Sequence, residues 1–210
     1  MNDYYETRYV FDKGRSQVWK AITEYLQSNI APNATVLDLG SGYCDFINNV
    51  KAQVKIAVDG NKESAKHCKE GVQFIQSDVT DLSQVASSSV DVVFASNLLE
   101  HLDDEQLSTM FDEINRITRK DAKVILMQPN FRYCASEYFD DYTHKKVFSH
   151  VSLSDFLRHN NFRPIKIYPR FLPFSLKSIL PKSYWLTKLY LMQPFKIFAK
   201  QMLIIGIKSK

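Results

Sequence analysis

The chain has 210 residues, 45% of them hydrophobic and 13% aromatic, enough material for one α/β domain with a decorated edge. Its net charge of +4 hides an asymmetry: every Asp and Glu lies at or before Asp155, and eleven Lys and Arg follow, so an anionic partner is expected for the C-terminal part. Three widely spaced cysteines (Cys44, Cys68, Cys134) argue against a disulfide framework or a CxxC metal site. No run reaches the roughly 18 apolar residues of a membrane span, and the first residues lack the pattern of a signal peptide. A cytoplasmic protein is the expectation.

Residues 4–14 are aromatic and charged without a clear period and read as an arm. Val18, Trp19, Ile22, Tyr25 and Leu26 recur at helical spacing and Pro32 ends the run, so 1–31 read as an arm and a core-covering helix. Val36 to Leu39 then form a short apolar run that breaks into Gly40-Ser41-Gly42, and apolar positions resume at Phe46, Ile47 and Val50. A buried strand that hands over to a helix through a glycine turn lets backbone N–H groups face a ligand. Gly40 and Gly42 carry no Cβ to hold that ligand off, and Asp38 offers a carboxylate at the strand's end. A dinucleotide site wants Gly-x-Gly-x-x-Gly. Its third glycine falls on Asp45, whose charge would face a pyrophosphate, which argues against a nicotinamide oxidoreductase.

Strands are expected over 54–59, 72–78, 90–97 and 122–127, with helices over 62–70 and 103–118 between them. Asp38, Asp59 and Asp78 end three successive strands, at the edge where parallel sheets bind ligands. Asp59, about 20 residues past the glycine turn, is placed to take two ribose hydroxyls. A helix over 152–162, capped by Ser152 and Asp155, precedes strands over 163–171 and 202–208. The expected fold is α/β: a Rossmann-like, doubly wound, seven-stranded, mostly parallel sheet with an antiparallel last strand. Residues 1–210 form a single domain, with 172–201 a helical cap inserted between strands six and seven.

Asp38-x-Gly40-x-Gly42, together with Ser96-Asn97-Leu98-Leu99-Glu100-His101-Leu102 after strand four, resembles class I S-adenosylmethionine-dependent methyltransferases of the small-molecule, type 11/23-like branch. The resemblance spans about residues 15–165. Where that family often carries one more glycine, this chain has Cys44. The resemblance implies S-adenosylmethionine as cofactor, with Asp38, Gly40 and Gly42 forming its turn. It places Asp59 on the ribose, Asp78 facing the adenine, Val79 completing the set, and Asn97 and Leu98 near the sulfonium. Tyr9 and Arg15 would close over the methionine end.

Methyl transfer needs alignment, exclusion of water and often a base. His101 is one candidate, with a structural hydrogen-bonding role as the alternative. A related branch pairs such a Glu-His with an earlier acid to hold a divalent metal, but Asn97 stands at that position, so no metal is expected. The long connection 131–151 should lie over the methyl group. In it His144, oriented by Asp140 or Asp141, is a second candidate base, against a plain surface loop. Residues 172–201 interleave Trp, Tyr, Phe and Leu with Lys, which suits an anionic membrane surface, a cap on the sheet edge or a dimer interface. The expected function is methyl transfer to a small-molecule, lipid-linked or glycolipid acceptor, at oxygen, with no nucleic-acid partner. A non-catalytic membrane-surface module of the same fold is the alternative.

Overall fold

The computed structural model describes residues 13–173 and 182–209. Strands β1 (Thr35–Leu39), β2 (Val54–Asp59), β3 (Val72–Gln76), β4 (Val90–Ser96), β5 (Thr118–Pro129), β6 (Phe162–Pro173) and β7 (Ala199–Lys208) form one sheet in the order β3-β2-β1-β4-β5-β7-β6. The first five pair in parallel, and β7 runs antiparallel between β5 and β6. Strand order reverses at β1, which lies between β2 and β4. There the connecting loops diverge and leave a crevice at the carboxyl ends of the strands.

Successive residues of the central strands are buried on opposite faces, because helices cover both sides of the sheet. Leu37, Val58, Val93 and Leu126 pack with Leu107, Met110, Phe111 and Ile114 of α3 (Asp104–Ile117) and with Leu153 and Leu157 of α5 (His150–His159), which follows the short α4 (Phe131–Cys134). Their neighbours Val36, Ala57, Phe94 and Met127 pack with Trp19, Ile22 and Leu26 of α1 (Lys13–Leu26) and with Phe46 and Ile47 of α2 (Asp45–Asn49). Each Val, Leu, Ile, Phe or Met among them contributes about 1.5–3 kcal/mol when removed from water.

Several local expectations are corrected. Segment 62–70 is a 3₁₀ helix over Lys62–His67, capped by Asn61. Only Ser64 of it is buried, so no apolar face is available to stabilise an α-helix. Ser149, not Ser152, caps α5; Ser152 is the third residue of a capping box and returns a hydrogen bond to the Ser149 backbone. Strand β5 begins earlier than its apolar run, because Thr118 pairs with Val90 across a register shift. Pro164 and Pro169 cannot donate to a ladder, and the β6 pairing shifts register beside each.

The first and last boundaries also move. Tyr9 lies outside the described residues, as do 174–181 of the cap. Because β6 reaches Pro173 and β7 starts at Ala199, the cap is a connection over 174–198, and its described helix is α6 (Tyr184–Met192). It packs on α1: Tyr184 Oη donates to Glu24 at 2.5 Å, Lys20 Nζ lies 5.4 Å from the Tyr184 ring centroid, and Leu191 is buried in the α1-side core. Strand β6 is parallel to β1, so this connection leaves the sheet at the same edge as the crevice.

Candidate functional site

The glycine turn is tied to β2, since the N–H groups of Gly40 and Ser41 both donate to the Val58 carbonyl, at 2.9 and 3.1 Å. Gly40 (φ 69°) and Gly42 (φ 49°) are left-handed, and so is Cys44 (φ 56°). That conformation costs a residue with a Cβ about 1–2 kcal/mol, which is why a glycine suits the Cys44 position. A Cβ on Gly40 would stand 3.1 Å from Leu98 Cδ1, so the bare backbone is what lets Leu98 lie against the turn. The fold also brings the sulfurs of Cys44 and Cys68 to 3.1 Å, a proximity their separation in sequence hides; both are free thiols, pushed up by burial.

Three carboxylates gather around this turn. Asp59 Oδ2 accepts from Gly42 N at 2.7 Å and Oδ1 from Asn61 N at 2.8 Å, so Asp59 joins the loops after β1 and β2. Asp38 is 3% exposed. Burial pushes its carboxyl up to about 8; a backbone N–H bond from Ile47 opposes the shift, and the charges of Asp59 and Asp45 add to it. Asp45 is held by Arg15, whose Nε donates to Oδ2 at 2.6 Å and whose guanidinium lies 5.6 Å from the Tyr43 ring centroid. Arg15 therefore brings the start of α1 onto the turn.

Asp78 is further out. Its Oδ1 accepts from both Thr80 N (2.9 Å) and Thr80 Oγ1 (2.7 Å), and the segment is placed by Ser77 N, which donates to the Asp59 carbonyl. The Val79 side chain is part of the core on the α3 face, so anything Val79 offers a ligand comes from its backbone. Asn97 is left-handed (φ 49°), which turns the chain sharply as β4 ends and sets Leu98 over Gly40. Its Oδ1 accepts from Gln201 Nε2 at 2.9 Å.

Leu98 leads into a 3₁₀ turn, Leu99–His101, that begins a second cluster. The Glu100 carbonyl accepts from the N–H groups of Lys145 and Lys146, which ties segment 143–146 beside the turn. His101 Nδ1 is 2.9 Å from Thr143 Oγ1, and that hydroxyl donates to Asp141 Oδ1 at 2.6 Å. A hydroxyl that gives its proton to a carboxylate can only accept from the ring, so Nδ1 of His101 carries the hydrogen and Nε2 the lone pair. His144 Nδ1 lies 2.5 Å from the Tyr138 carbonyl, which makes the same assignment for that ring. The two ring centroids are 5.0 Å apart. His101 is pulled down by burial and by His144. Asp141 thus stands behind His101 through Thr143, and the Tyr138 backbone carbonyl engages Nδ1 of His144.

Glu100 is 2% exposed, its Oε2 has no hydrogen-bond partner among the described residues, and burial pushes its carboxyl up to about 8. One ligand atom from each of Glu100, His101 and His144 lies within 4.8 Å of the others. Gln128, 1% exposed near the end of β5, has both amide atoms without partners among the described residues, and Ser96 Oγ at the end of β4 is likewise buried and unpaired. Buried polar atoms without partners are rare, and these two lie at the crevice edge of adjacent strands. Sequence reasoning passed over Gln128, although a lone amide that ends an apolar strand was the signal.

Residues 37–126 match a family model described as a methyltransferase domain. No curated protein matches the chain in sequence. Among solved structures, the chain is similar to one in the complex between the Haloferax volcanii Trm112 methyltransferase activator and a methyltransferase, with TM-score 0.73, 16% identity, and 99% and 97% of the two chains covered. It is similar to an S-adenosylmethionine-dependent methyltransferase from Archaeoglobus fulgidus, with TM-score 0.64, 21% identity, and 90% and 94% covered. A third is the 1,6-didemethyltoxoflavin-N1-methyltransferase of Burkholderia thailandensis with 1,6-didemethyltoxoflavin and S-adenosylhomocysteine bound, with TM-score 0.63, 17% identity, and 100% and 85% covered. At these identities the likeness is one of fold.

Proposed function

We propose that this chain, which carries a class I S-adenosylmethionine-dependent methyltransferase domain of the type 11 kind, methylates a hydroxyl oxygen of a small or lipid-linked acceptor. Its cofactor is S-adenosylmethionine, which when bound supplies an electrophilic methyl group on a sulfonium. The residues at the turn fit that group. Gly40 and Gly42 take left-handed conformations that keep the turn's backbone bare of Cβ atoms, and the buried Asp38 gains from a cationic partner. In this reading Gly40, Gly42 and Asp38 hold the methionine end with Arg15 closing beside it, Asp59 takes the ribose hydroxyls, Asp78 faces the adenine, and Asn97 and Leu98 flank the sulfonium.

The observation that carries the oxygen assignment is the histidine pair. His101 follows Leu98 by three residues, and Leu98 rests on Gly40, so the pair stands beside the cofactor turn. Both rings have Nδ1 engaged, with Asp141 and Thr143 orienting His101. His101 and His144 mark where the acceptor's hydroxyl proton leaves as an oxygen–carbon bond forms and the carbon–sulfur bond breaks. A small acceptor accords with the Burkholderia neighbour, solved with its small-molecule substrate bound.

The lipid-linked variant rests on the cap. Trp185 is 72% exposed, Met192 72% and Phe195 80%, at the same edge of the sheet as the crevice. Three of the lysines there are paired within the protein: Lys188 with Glu24, Lys196 with the Tyr190 and Leu191 carbonyls, and Lys200 with Glu137. Apolar burial rather than charge would therefore drive contact with a bilayer.

Methyl-labelled S-adenosylmethionine incubated with a panel of phenols, alcohols, amines and lipid-linked sugars tests the reading. Label should enter hydroxyl acceptors, and His101→Gln should lower the rate about 100-fold or more. Label confined to nitrogen or carbon acceptors would overturn the oxygen assignment.

A further inference from the structure

We propose that Arg132, Tyr133, His150 and Arg170 form an anion subsite that takes a phosphate or diphosphate group of the acceptor, at the carboxyl ends of β5 and β6. Its place in the reaction rests on the methyl-transfer reading above; anion binding itself does not.

One buried side chain assembles the subsite. Asn130, 0% exposed just after β5, accepts from Arg132 N at its Oδ1 (3.3 Å), and its Nδ2 donates to His150 Nδ1 (3.0 Å) and to the Pro169 carbonyl (2.9 Å). It therefore fixes α4, the start of α5 and the end of β6 around one point. An amide nitrogen only donates, so His150 Nδ1 is the acceptor and Nε2 of the neutral ring carries the hydrogen. The Arg170 guanidinium lies 4.1 Å from the Tyr133 ring centroid, and the Tyr133 and His150 rings are parallel to within 4°. His150 is pulled down by burial and by the charge of Arg132, so that guanidinium is near too.

Strand β6 is bent where it delivers Arg170. Its pairing advances from Tyr168 to Leu172 while β7 advances only from Leu203 to Gln201, which puts Arg170 in a bulge. Bulges re-aim side chains and are common beside active sites. No Asp or Glu follows Asp155, so β6, the cap and β7 offer no carboxylate, and Glu137 after α4 is engaged by Lys200. Among the described residues the arginine ion pairs are those of Arg15, Arg116, Arg119 and Arg158, which leaves Arg132 and Arg170 without a carboxylate. Two such guanidiniums, with an imidazole N–H and a phenol beside them, match a phosphate better than a carboxylate. A phosphate carries about two negative charges and three acceptor oxygens, a carboxylate one charge and two oxygens.

The subsite is placed to serve the acceptor. Asn130 N donates to the Lys200 carbonyl, and the next residue of β7, Gln201, holds Asn97. In the order β4-β5-β7-β6, the ends of β4 and β6 are three strand spacings, roughly 14 Å, apart. An acceptor whose hydroxyl lies at the end of β4 would carry its phosphate that far away. Tyr190 of α6 is pushed up by burial with Arg170 opposing the shift, so the subsite also adjoins the exposed apolar cap. A lipid diphosphate and a soluble phosphate ester share the chemistry it recognises.

The test is calorimetric titration of the full-length chain with inorganic diphosphate and with farnesyl diphosphate, each with and without saturating S-adenosylhomocysteine. The carboxylates of Asp38, Asp45 and Asp59 oppose an anion at the cofactor turn, so diphosphate binding should survive in the presence of the nucleoside. One diphosphate per chain is expected, weakened about tenfold or more in Arg132→Ala and in Arg170→Ala. Arg170→Lys keeps the charge but loses the planar guanidinium over Tyr133, and should weaken binding as well. Arg163→Ala, at the start of β6, should bind as the wild type does. Tighter binding of farnesyl diphosphate than of the inorganic probe supports a lipid-borne acceptor at the subsite, and equal affinities support a soluble one. Circular dichroism melts establish that each variant is folded. No saturable diphosphate binding, binding undiminished in both arginine-to-alanine variants, or an equal loss in Arg163→Ala would overturn the subsite. A chain that binds S-adenosylhomocysteine but not diphosphate keeps the methyl-transfer reading and loses this one. The reverse result keeps the anion site and removes its part in methyl transfer.

Discussion

Replacing Asp38 by Asn isolates a pH dependence that the site imposes on cofactor binding. The Asp38 carboxyl is pushed up to about 8 by burial, with the charges of Asp59 and Asp45 adding to the shift against the Ile47 hydrogen bond. At pH 6 it is therefore mostly protonated in the free protein. A cationic amino-acid end placed beside it favours the carboxylate and lowers its pKa in the complex. Binding then releases a proton, and each pH unit below about 8 weakens binding by up to tenfold, or about 1.4 kcal/mol. Affinity for S-adenosylhomocysteine should rise up to about 100-fold between pH 6 and 8 and then level off. Folding stability moves the other way. The native pKa lies above the ordinary carboxylate value of 3.8, so the native state holds the extra proton. The stabilisation from that proton is complete below about pH 4 and is lost as pH rises through about 8. Calorimetric titrations at pH 6, 7 and 8, in two buffers of different ionisation enthalpy, measure both the affinity and the proton released. Asp38→Asn should bind weakly with no slope, and should gain stability relative to wild type as pH rises. A wild-type affinity that is flat across this range, or a slope that survives in Asp38→Asn, refutes the reasoning.

Other substitutions probe separate parts of the account. Gln128→Met removes two unpaired buried polar atoms and should leave the melting temperature equal or higher while acceptor turnover falls; a large loss of stability would mean the amide is structural. Gly40→Ala forces a Cβ into a left-handed residue 3.1 Å from Leu98, costing about 1–2 kcal/mol. The melting temperature should drop by several degrees and S-adenosylhomocysteine binding should weaken, and unaltered binding would place the cofactor elsewhere. Arg15→Ala breaks the ion pair with Asp45 and should weaken cofactor binding, measured by calorimetry, more than it lowers the melting temperature. Sedimentation with vesicles should show binding that barely changes between low and high salt, because Lys188, Lys196 and Lys200 are paired within the protein; absence of binding to neutral and anionic vesicles alike would remove the lipid-surface reading.

The sheet was legible in the sequence because buried parallel strands leave short apolar runs that end in polar residues. Val36–Leu39, Val54–Asp59 and Val90–Ser96 each carry that signal, and the glycine turn marks the reversal of strand order. The spacing of Leu107, Met110, Phe111 and Ile114 gave α3 almost to the residue. Segment 62–70 misled because its polar residues carry no information about packing. What could not be read was contact between distant segments. Asp141 reaches His101 only because Lys145 and Lys146 bind the Glu100 carbonyl, and no local pattern encodes that bond. The pairing of Lys188, Lys196 and Lys200 was hidden for the same reason: composition reports a charge but not its partner. Asp38, by contrast, was legible as the carboxylate near the end of β1 from position alone, while its raised pKa depends on burial that only the folded chain supplies.

The central claim is that the turn between β1 and α2 holds S-adenosylmethionine with Asp59 on its ribose. Calorimetric titration of the wild type and Asp59→Ala with S-adenosylmethionine, S-adenosylhomocysteine and NAD tests it most directly. The account predicts one-to-one binding of the first two to wild type, none of NAD, and loss of binding in an Asp59→Ala protein that still melts cooperatively. Binding of NAD in their place, or S-adenosylmethionine affinity undiminished in Asp59→Ala, would contradict it.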